Sequence, residues 1–305
     1  MNDRGLHRAL LALLLVACAT GCRRSASAPP EAIPVAAKPT VAAGTVAAVV
    51  LARVGKVELS HSDGQWSDAR VGDQLVPSDS LRTEAGQAEL GLGPVRMRLH
   101  ESSALRVKET GKSSMRAQVR GAVESDVEPG RGALDVEMEG TDAVARSTGG
   151  HFFVTADGRG VVSVAAVSGS VNLVARTRQV EVRQGQVGRI QKGELNAPSP
   201  ALRRVLLSVL WPEELTSKEA VPVSGKVEPG SRVFIQGHPV SVEANGSFTA
   251  EVPLHDGAQK VAVLVVDPLG RRKQAWATIV RAEARHQGVA AAAEAKKKKK
   301  EFQWR

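Results

Sequence analysis

The sequence contains little cysteine and few aromatic residues. Its only two cysteines, Cys18 and Cys22, lie within the first 22 of 305 residues, so the rest of the chain has no disulfide framework to stabilise it. Aromatic residues make up 3% of the chain and tyrosine is absent, which leaves few rings that could serve as a platform for a sugar. Buried apolar area must therefore hold the fold, and a hydrophobic content of 42% is sufficient in a chain long enough for two domains.

The chain carries a net charge of +9, but this charge is concentrated at one end. Residues 281–305 contain eight Lys or Arg residues against three Glu residues. Residues 18–280 are therefore close to neutral. Because the basic residues form no broad patch along the body of the chain, the composition argues against a nucleic-acid partner.

The two cysteines follow a short apolar run. "MNDRGLHR" carries Arg4 and Arg8, and "ALLALLLVA" (9–17) is far shorter than the ~20 apolar residues that span a bilayer. A basic segment followed by a short apolar segment is typical of a secretory signal. Two cysteines four residues apart are too few for a structural zinc site and do not have the spacing of a CxxC redox motif.

"LVAC" (15–18) resembles the sequence that bacterial lipoprotein signal peptidase cuts, and "ATGC" (19–22) resembles it too. The resemblance implies that residues 1–17 are a signal peptide and that Cys18 carries a lipid; the alternative is a signal peptide over 1–21 with the lipid on Cys22. Neither Ala19 nor Arg23 is acidic, which for a lipoprotein implies the outer membrane of the bacterial cell envelope. An ordinary cleaved signal and a soluble periplasmic protein are the alternative to a lipid anchor.

The chain changes character at residue 46. Residues 18–45 are rich in Pro, Ala and Ser and predict an extended tether. From there apolar and polar residues alternate, as in "VRMRLH" (95–100) and "ALDVEME" (133–139), between Gly-rich or Asp-rich breaks. This alternation is typical of antiparallel strands with one solvated face, so we predict an all-β domain over 46–197.

Short motifs in this region resemble the FecR domain, a periplasmic β module named after the iron-citrate regulator. They are "GKVEL", "VGDQL", "DSLRT", "GQAELGLG", "RLHESSALRV", "RGALDVEM", "VSGSVNL" and "QGQVGRI", in that order. FecR proteins sense the state of a transporter and signal to a cytoplasmic sigma factor through a cytoplasmic segment and a membrane helix. We expect neither of these here, so a regulatory role would require another membrane protein.

A second β unit is predicted over 201–281. "VLLSVLW" (205–211) fits either a helical stripe or a first strand, and we favour a strand. The segments "SGKVEPGSRVFIQG" (224–237) and "VSVEANGSFTAEVPL" (240–254) resemble the immunoglobulin-like B domain first named in glucodextranase, which implies an immunoglobulin-like β-sandwich. Asn245-Gly246 is a strong hairpin signal.

Residues 282–305 form a basic, Ala-rich and Lys-rich tail. Lysines beside aromatic residues attract anionic lipid headgroups or acidic polymers. The alternative is a solvated tail that keeps the protein soluble. The candidate residues for an anionic surface are Lys296, Lys297, Lys298, Lys299, Lys300, Phe302 and Trp304.

We find no catalytic constellation in the sequence and predict no catalytic residue, no metal site and no cofactor. His61 near Asp63 and His100 beside Glu101 are interpreted as exposed turns. Trp66, in the polar stretch "SDGQWSDA", is the candidate ligand platform, and its alternative role is a loop anchor over the core. We expect the other two tryptophans of this region, Trp211 and Trp276, to belong to the core.

These observations predict a non-catalytic, lipid-anchored binding or scaffold protein of the bacterial cell envelope. Its expected contacts are the membrane, through the N-terminal lipid, and an envelope protein, peptidoglycan, or an anionic lipid or polysaccharide. The alternative is a FecR-type regulatory component that acts through another membrane protein.

Overall fold

A computed structural model describes residues 46–156 and 161–282. The predicted signal peptide, Cys18 and Cys22, the predicted tether over 18–45 and the tail residues Lys296–Lys300, Phe302 and Trp304 lie outside the described residues. Within the described part of the chain every regular element is a strand, which confirms the prediction of an all-β protein. No helix in that part is long and apolar enough to cross a membrane.

Seventeen strands form the first part of the structure, which we call the N-terminal body. Its elements are β1 (Ala48–Val54), β2 (Val57–Ser60), β3 (Trp66–Asp68), β4 (Gln74–Leu75), β5 (Ser80–Thr83), β6 (Gln87–Leu92), β7 (Val95–Leu99), β8 (Ser103–Thr110), β9 (Ser114–Val127), β10 (Ala133–Met138), β11 (Ala143–Ser147), β12 (Gly150–Ala156), β13 (Val162–Ala175), β14 (Arg178–Arg183), β15 (Gln186–Gln191), β16 (Glu194–Leu195) and β17 (Ser199–Pro200).

Two long strands, β9 and β13, are shared between the two sheet layers of this body. The first half of β9 pairs with β8 and β10 in one layer, and its second half pairs with β7 and β12 in the other. In the same way, the first half of β13 pairs with β12 and β15 in one layer, and its second half pairs with β11 and β14 in the other. Each crossing has a glycine with positive φ, Gly121 at 95° and Gly169 at 69°, a conformation that costs glycine little.

The predicted alternation sets the core between these layers. In β7 the side chains of Val95, Met97 and Leu99 are buried while the two arginines between them are exposed. β10 alternates in the same way. In the N-terminal body one pairing differs from the antiparallel expectation: β10 runs parallel to the first half of β9, since the chain crosses between layers before it returns.

The second part of the structure, the C-terminal body, has eight strands in two sheets. They are β18 (Leu207–Leu210), β19 (Leu215–Thr216), β20 (Ala220–Val227), β21 (Arg232–Ile235), β22 (His238–Val240), β23 (Ser247–Pro253), β24 (Gly257–Val266) and β25 (Arg272–Arg281). β18, β20 and β23 form one sheet, and β19, β25, β24, β21 and β22 form the other. The predicted sandwich arrangement is therefore present, and "VLLSVLW" contains a strand, as we favoured.

The C-terminal body has its own apolar core. Val223, Phe248, Val261, Val263 and Ile279 are among its buried residues. The Asn245-Gly246 signal is confirmed as a turn, because Gly246 has φ of 85° and its N–H donates to the Glu243 carbonyl at 2.8 Å.

Polar contacts join the two bodies, which belong to one compact unit of the chain. Arg189 of β15 forms a buried ion pair with Glu228, where 14% and 6% of the two side chains are exposed, and its Nε also donates to the Pro229 carbonyl at 3.1 Å. Thr155 Oγ1 donates to the Gly230 carbonyl at 2.9 Å. We call this region the junction.

Candidate functional site

The two exposed tryptophans of the described chain differ in how their rings are covered. Trp66 does not lie in a polar loop, as the sequence suggested, but in the three-residue edge strand β3, where it pairs with Ser60. Its residue is 39% exposed, and the Arg82 guanidinium lies 4.1 Å from its ring centroid. The loop prediction was wrong because a short strand can pair at a sheet edge without any apolar alternation of its own.

Arg82 is held in place over Trp66 by a charged network. Its Nε lies 2.6 Å from Glu58 Oε2, and the pKa of the Glu58 carboxyl is lowered, first by this hydrogen bond. Lys56 continues the network with Glu84 at 3.0 Å. Because the guanidinium is fixed on the ring, Trp66 makes a poor ligand platform.

The prediction that Trp276 belongs to the core is wrong. It is 59% exposed and lies in the middle of β25, opposite Ala262 of β24. Successive side chains of a strand point to opposite faces, and Ile279, three residues on, is the one that enters the core. Trp211 is only partly buried and packs against the C-terminal core from its margin.

Trp276 shares the outer face of the five-stranded sheet with both polar and apolar side chains. Since paired residues lie on the same face, its strand neighbours there are Gln274 and Thr278, and the register places Lys260 and Leu264 beside them on β24. The Lys260 ammonium lies 4.3 Å from the centroid of the Trp276 ring. Among the described residues no carboxylate forms an ion pair with Lys260. We call this surface the Trp276 face.

The N-terminal body borders the Trp276 face on one side. Phe234 of β21 points to the same face but is only 4% exposed, and the Arg232 guanidinium lies 5.0 Å from its ring centroid. Arg232 donates to the carbonyls of Glu101 and Ser102, the latter at 3.1 Å. Burial lowers the pKa of the Arg232 guanidinium to about 10, so this cation remains charged at neutral pH while it fixes the edge of the face.

A cluster of titratable groups lies at the junction around Glu124. Its carboxylate lies 2.8 Å from His151 Nε2, 3.1 Å from Arg98 Nη1 and 3.6 Å from His100 Nε2. Burial lowers the pKa of His100, and the Glu124 charge opposes this effect. The buried His100 Nε2 has no hydrogen-bond partner. The effect of burial, which favours the neutral form of His100, therefore outweighs the effect of the Glu124 charge, which favours the protonated form.

The interpretation of His100 and Glu101, in the segment "LHESS" (99–103), as an exposed turn is therefore wrong. β7 and β8, which flank it, lie in different layers and each pairs with β9 instead of with the other. His100 stacks near Phe153 with ring centroids 6.0 Å apart. A Cβ on Gly270 of the C-terminal body would lie 2.4 Å from the Phe153 ring, so that body covers the ring directly. Within this segment Ser103 Oγ donates to the Glu101 carbonyl at 3.0 Å.

His61 lies beside a turn, and its side chain contacts Asp79 instead of the nearby Asp63. Its Nδ1 lies 3.1 Å from Asp79 Oδ2, while Asp63 caps its own turn by accepting the N–H of Gln65 at 3.0 Å. Asp79 is buried and also accepts the N–H of Val76 at 2.9 Å. This histidine and carboxylate therefore close a turn. In the described residues no group of three His, Cys, Asp or Glu side chains is arranged to hold a metal ion.

Two features of the site have signals in the local sequence. Gln274, Trp276 and Thr278 alternate with Ala275, Ala277 and Ile279, which places the tryptophan on the polar side of its strand. Phe152 and Phe153 are adjacent, and neighbours in a strand face opposite ways, so two consecutive large apolar residues indicate a strand covered on both faces.

Comparisons with known proteins give only distant similarities. No protein-family model matches the sequence and no curated protein matches it. A candidate anti-sigma factor from Parabacteroides distasonis is similar with a TM-score of 0.35 and 14% identity, over 39% of this chain and 57% of the other. Fibronectin(III)-like modules of Clostridium thermocellum CbhA are similar with a TM-score of 0.22 and 11% identity, over 59% of this chain and 95% of theirs.

The chain therefore spans little more than half the length of the first of these proteins. Similarity at this level does not assign a family, and the FecR-like and glucodextranase-like resemblances stay predictions.

Proposed function

We propose that the protein is a non-catalytic binding and scaffold protein of the bacterial cell envelope, held at the membrane by a lipid on Cys18 or Cys22. The observation that carries the proposal is the junction. It couples the two β bodies, so that the surfaces of both are presented in one fixed arrangement.

The first support for a fixed arrangement is the ion pair between Arg189 and Glu228. Both side chains are almost fully removed from water, and each comes from a different body. Separating the bodies would rehydrate both charges, but shifting one body by a few ångströms would leave two buried charges without partners, which is costly. The pair therefore selects one relative position.

A second support is the number of backbone acceptors that side chains reach across the junction. Arg232 donates to two carbonyls of the β7–β8 corner, and Gln191 Nε2 donates to the Ala244 carbonyl at 3.0 Å. The third is the ion pair of Arg272 with Glu101 at 3.3 Å. Contacts at several separated points resist rotation as well as translation.

The membrane anchor is tested by labelling cells with radioactive palmitate. We expect the wild type to be labelled and to sediment with membranes, and the double variant Cys18→Ala, Cys22→Ala to lose both properties. The two single variants identify the lipidated cysteine. Labelling that survives in the double variant, or a wild type that is never labelled, would overturn the lipid anchor.

The binding role is tested by crosslinking in intact envelopes. An envelope polymer or a structural envelope protein recovered with the chain supports the proposal. Recovery of a membrane protein that controls a sigma factor would favour the regulatory alternative instead.

A further inference from the structure

We propose that the Trp276 face is a binding site for a linear acidic polysaccharide. The structure juxtaposes an exposed indole, a neighbouring ammonium group and two neutral hydrogen-bonding side chains on one face of a sheet. Such a site rests on the proposed envelope-binding function and gives it a class of ligand.

The Trp276 ring has the exposure that stacking requires. Trp276 is 59% exposed, and the residue paired with it, Ala262, is too small to rise above the ring. The C–H groups on one side of a pyranose form an apolar, slightly positive surface, which complements the negative face of an aromatic ring.

Lys260 supplies the charge that selects an acidic sugar. Its ammonium lies 4.3 Å from the ring centroid and has no carboxylate partner among the described residues. A cation–π contact at an exposed site is weak, so the ammonium can turn from the ring to an arriving carboxylate while the sugar takes its place. The outward positions of β24 and β25 include Lys260 and Arg272 and contain no carboxylate.

Gln274 and Thr278 flank the ring on the same strand. Both are exposed, and they point to the same face as Trp276, one on each side of it. An amide and a hydroxyl group can each donate and accept a hydrogen bond, as the hydroxyl groups of a sugar require. The polar groups therefore lie along the strand in line with the ring.

The shape of the face favours a polymer strand over a folded protein. Phe234 and Arg232 are covered at the junction, so the open part of the Trp276 face consists mainly of β24 and β25. At ~4.8 Å per strand, these two strands are together about 10 Å wide. Ten residues of strand extend about 33 Å, which gives a strip of roughly 330 Å². A stable protein interface takes about 800 Å² from each partner, more than this strip offers.

Trp66 provides a matched control within the same chain. It is the other exposed tryptophan of the described residues, and it too has a cation over its ring, but Glu58 fixes that cation in place. A ligand that merely adheres to exposed indoles would bind at both positions.

The test uses the full chain purified in detergent, with polygalacturonate as the acidic probe and dextran as the neutral one. We expect the wild type to bind polygalacturonate with an affinity that falls as salt is added, and to bind dextran more weakly. Trp276→Ala should weaken polygalacturonate binding at least tenfold, and Trp66→Ala should change it less than twofold. Lys260→Gln should weaken it and flatten its salt dependence. Unchanged circular dichroism and melting would show that each variant is folded.

Absence of polygalacturonate binding by the wild type, or an equal loss in the Trp66→Ala and Trp276→Ala variants, would overturn the site. A protein crosslink in envelopes that Trp276→Ala removes, without glycan binding by the wild type, would also overturn it and assign the face to a protein. In both cases the wild type could still be labelled with palmitate and crosslinked to an envelope component. The failure of this site would therefore be distinct from a failure of the proposed function.

Discussion

Gly230 lies in the turn where the C-terminal body meets the N-terminal one, and replacing it with alanine tests the junction. Its φ is 83°, and an added Cβ would lie 1.8 Å from Ser163 Oγ and 2.7 Å from Ser163 Cβ. The hydroxyl could rotate away, but the Cβ of Ser163 belongs to a buried strand and could move only with it. Gly230→Ala should therefore push the two bodies apart.

Gly237 provides the control for the backbone cost. Its φ is also 83°, in the two-residue turn between β21 and β22, but nothing lies within 4 Å of the position of an added Cβ. Placing alanine in this left-handed conformation costs about 1–2 kcal/mol at either site. Overpacking of a filled site adds typically 1–3 kcal/mol, which applies to Gly230→Ala alone.

The assay is equilibrium unfolding in urea, followed by far-ultraviolet circular dichroism. We expect Gly237→Ala to lower the free energy of unfolding by about 1–2 kcal/mol and Gly230→Ala to lower it by about 2–5 kcal/mol. Equal losses in the two variants would refute the close packing of the bodies at the junction.

Three further perturbations test the charges and the tail. Glu228→Gln leaves Arg189 buried without a counter-charge and should lower the free energy of unfolding by about 3–5 kcal/mol. The control is Glu128→Gln, in an exposed pair with Arg131, which should lower it by no more than about 1 kcal/mol. Equal losses in the two variants would contradict the buried pair. Because the folded-state pKa of His100 is lowered from 6.5, the unfolded chain takes up its proton first. Stability should therefore fall as the pH drops below about 6.5 until the folded-state pKa is reached, and His100→Gln should flatten that part of a melting-temperature profile; an unchanged slope would count against a neutral His100. Deleting residues 289–305 should weaken binding of the unlipidated protein to anionic vesicles at low salt, as measured by sedimentation, and equal binding would leave the tail as a solubilising extension.

Strands with one solvated face and one buried face could be predicted from the sequence. Val95, Met97 and Leu99 alternate with arginines because the β7 strand separates water from the core, so local sequence contains the whole signal. The strand in "VLLSVLW" was less certain, since a short apolar run fits a helix and a strand alike. Residue type alone predicts a buried Trp276, but its position in β25 has the phase of Gln274 and Thr278, which are exposed.

The junction could not have been predicted in the same way. Arg189 and Glu228 are 39 residues apart and each looks like an ordinary surface charge in its own segment. Their burial depends on how the two bodies pack together, and the pattern of neighbouring residues in the sequence contains no signal for this packing. The same holds for Arg232 and Glu101, which are 131 residues apart. A local signal exists only where consecutive residues of a strand are apolar, because both faces of such a strand are covered. This is the case for Phe152-Phe153 and for the start of β13.

We predict that the two β bodies are held in one arrangement in solution, and a distance measurement by pulsed electron paramagnetic resonance tests this. With Cys18 and Cys22 replaced by alanine the chain has no other cysteine, so single labels can be placed at the exposed positions Arg178 and Glu251, one on each body. We predict a single narrow distance distribution, which Glu228→Gln broadens. A broad distribution in the otherwise unchanged chain would contradict the claim.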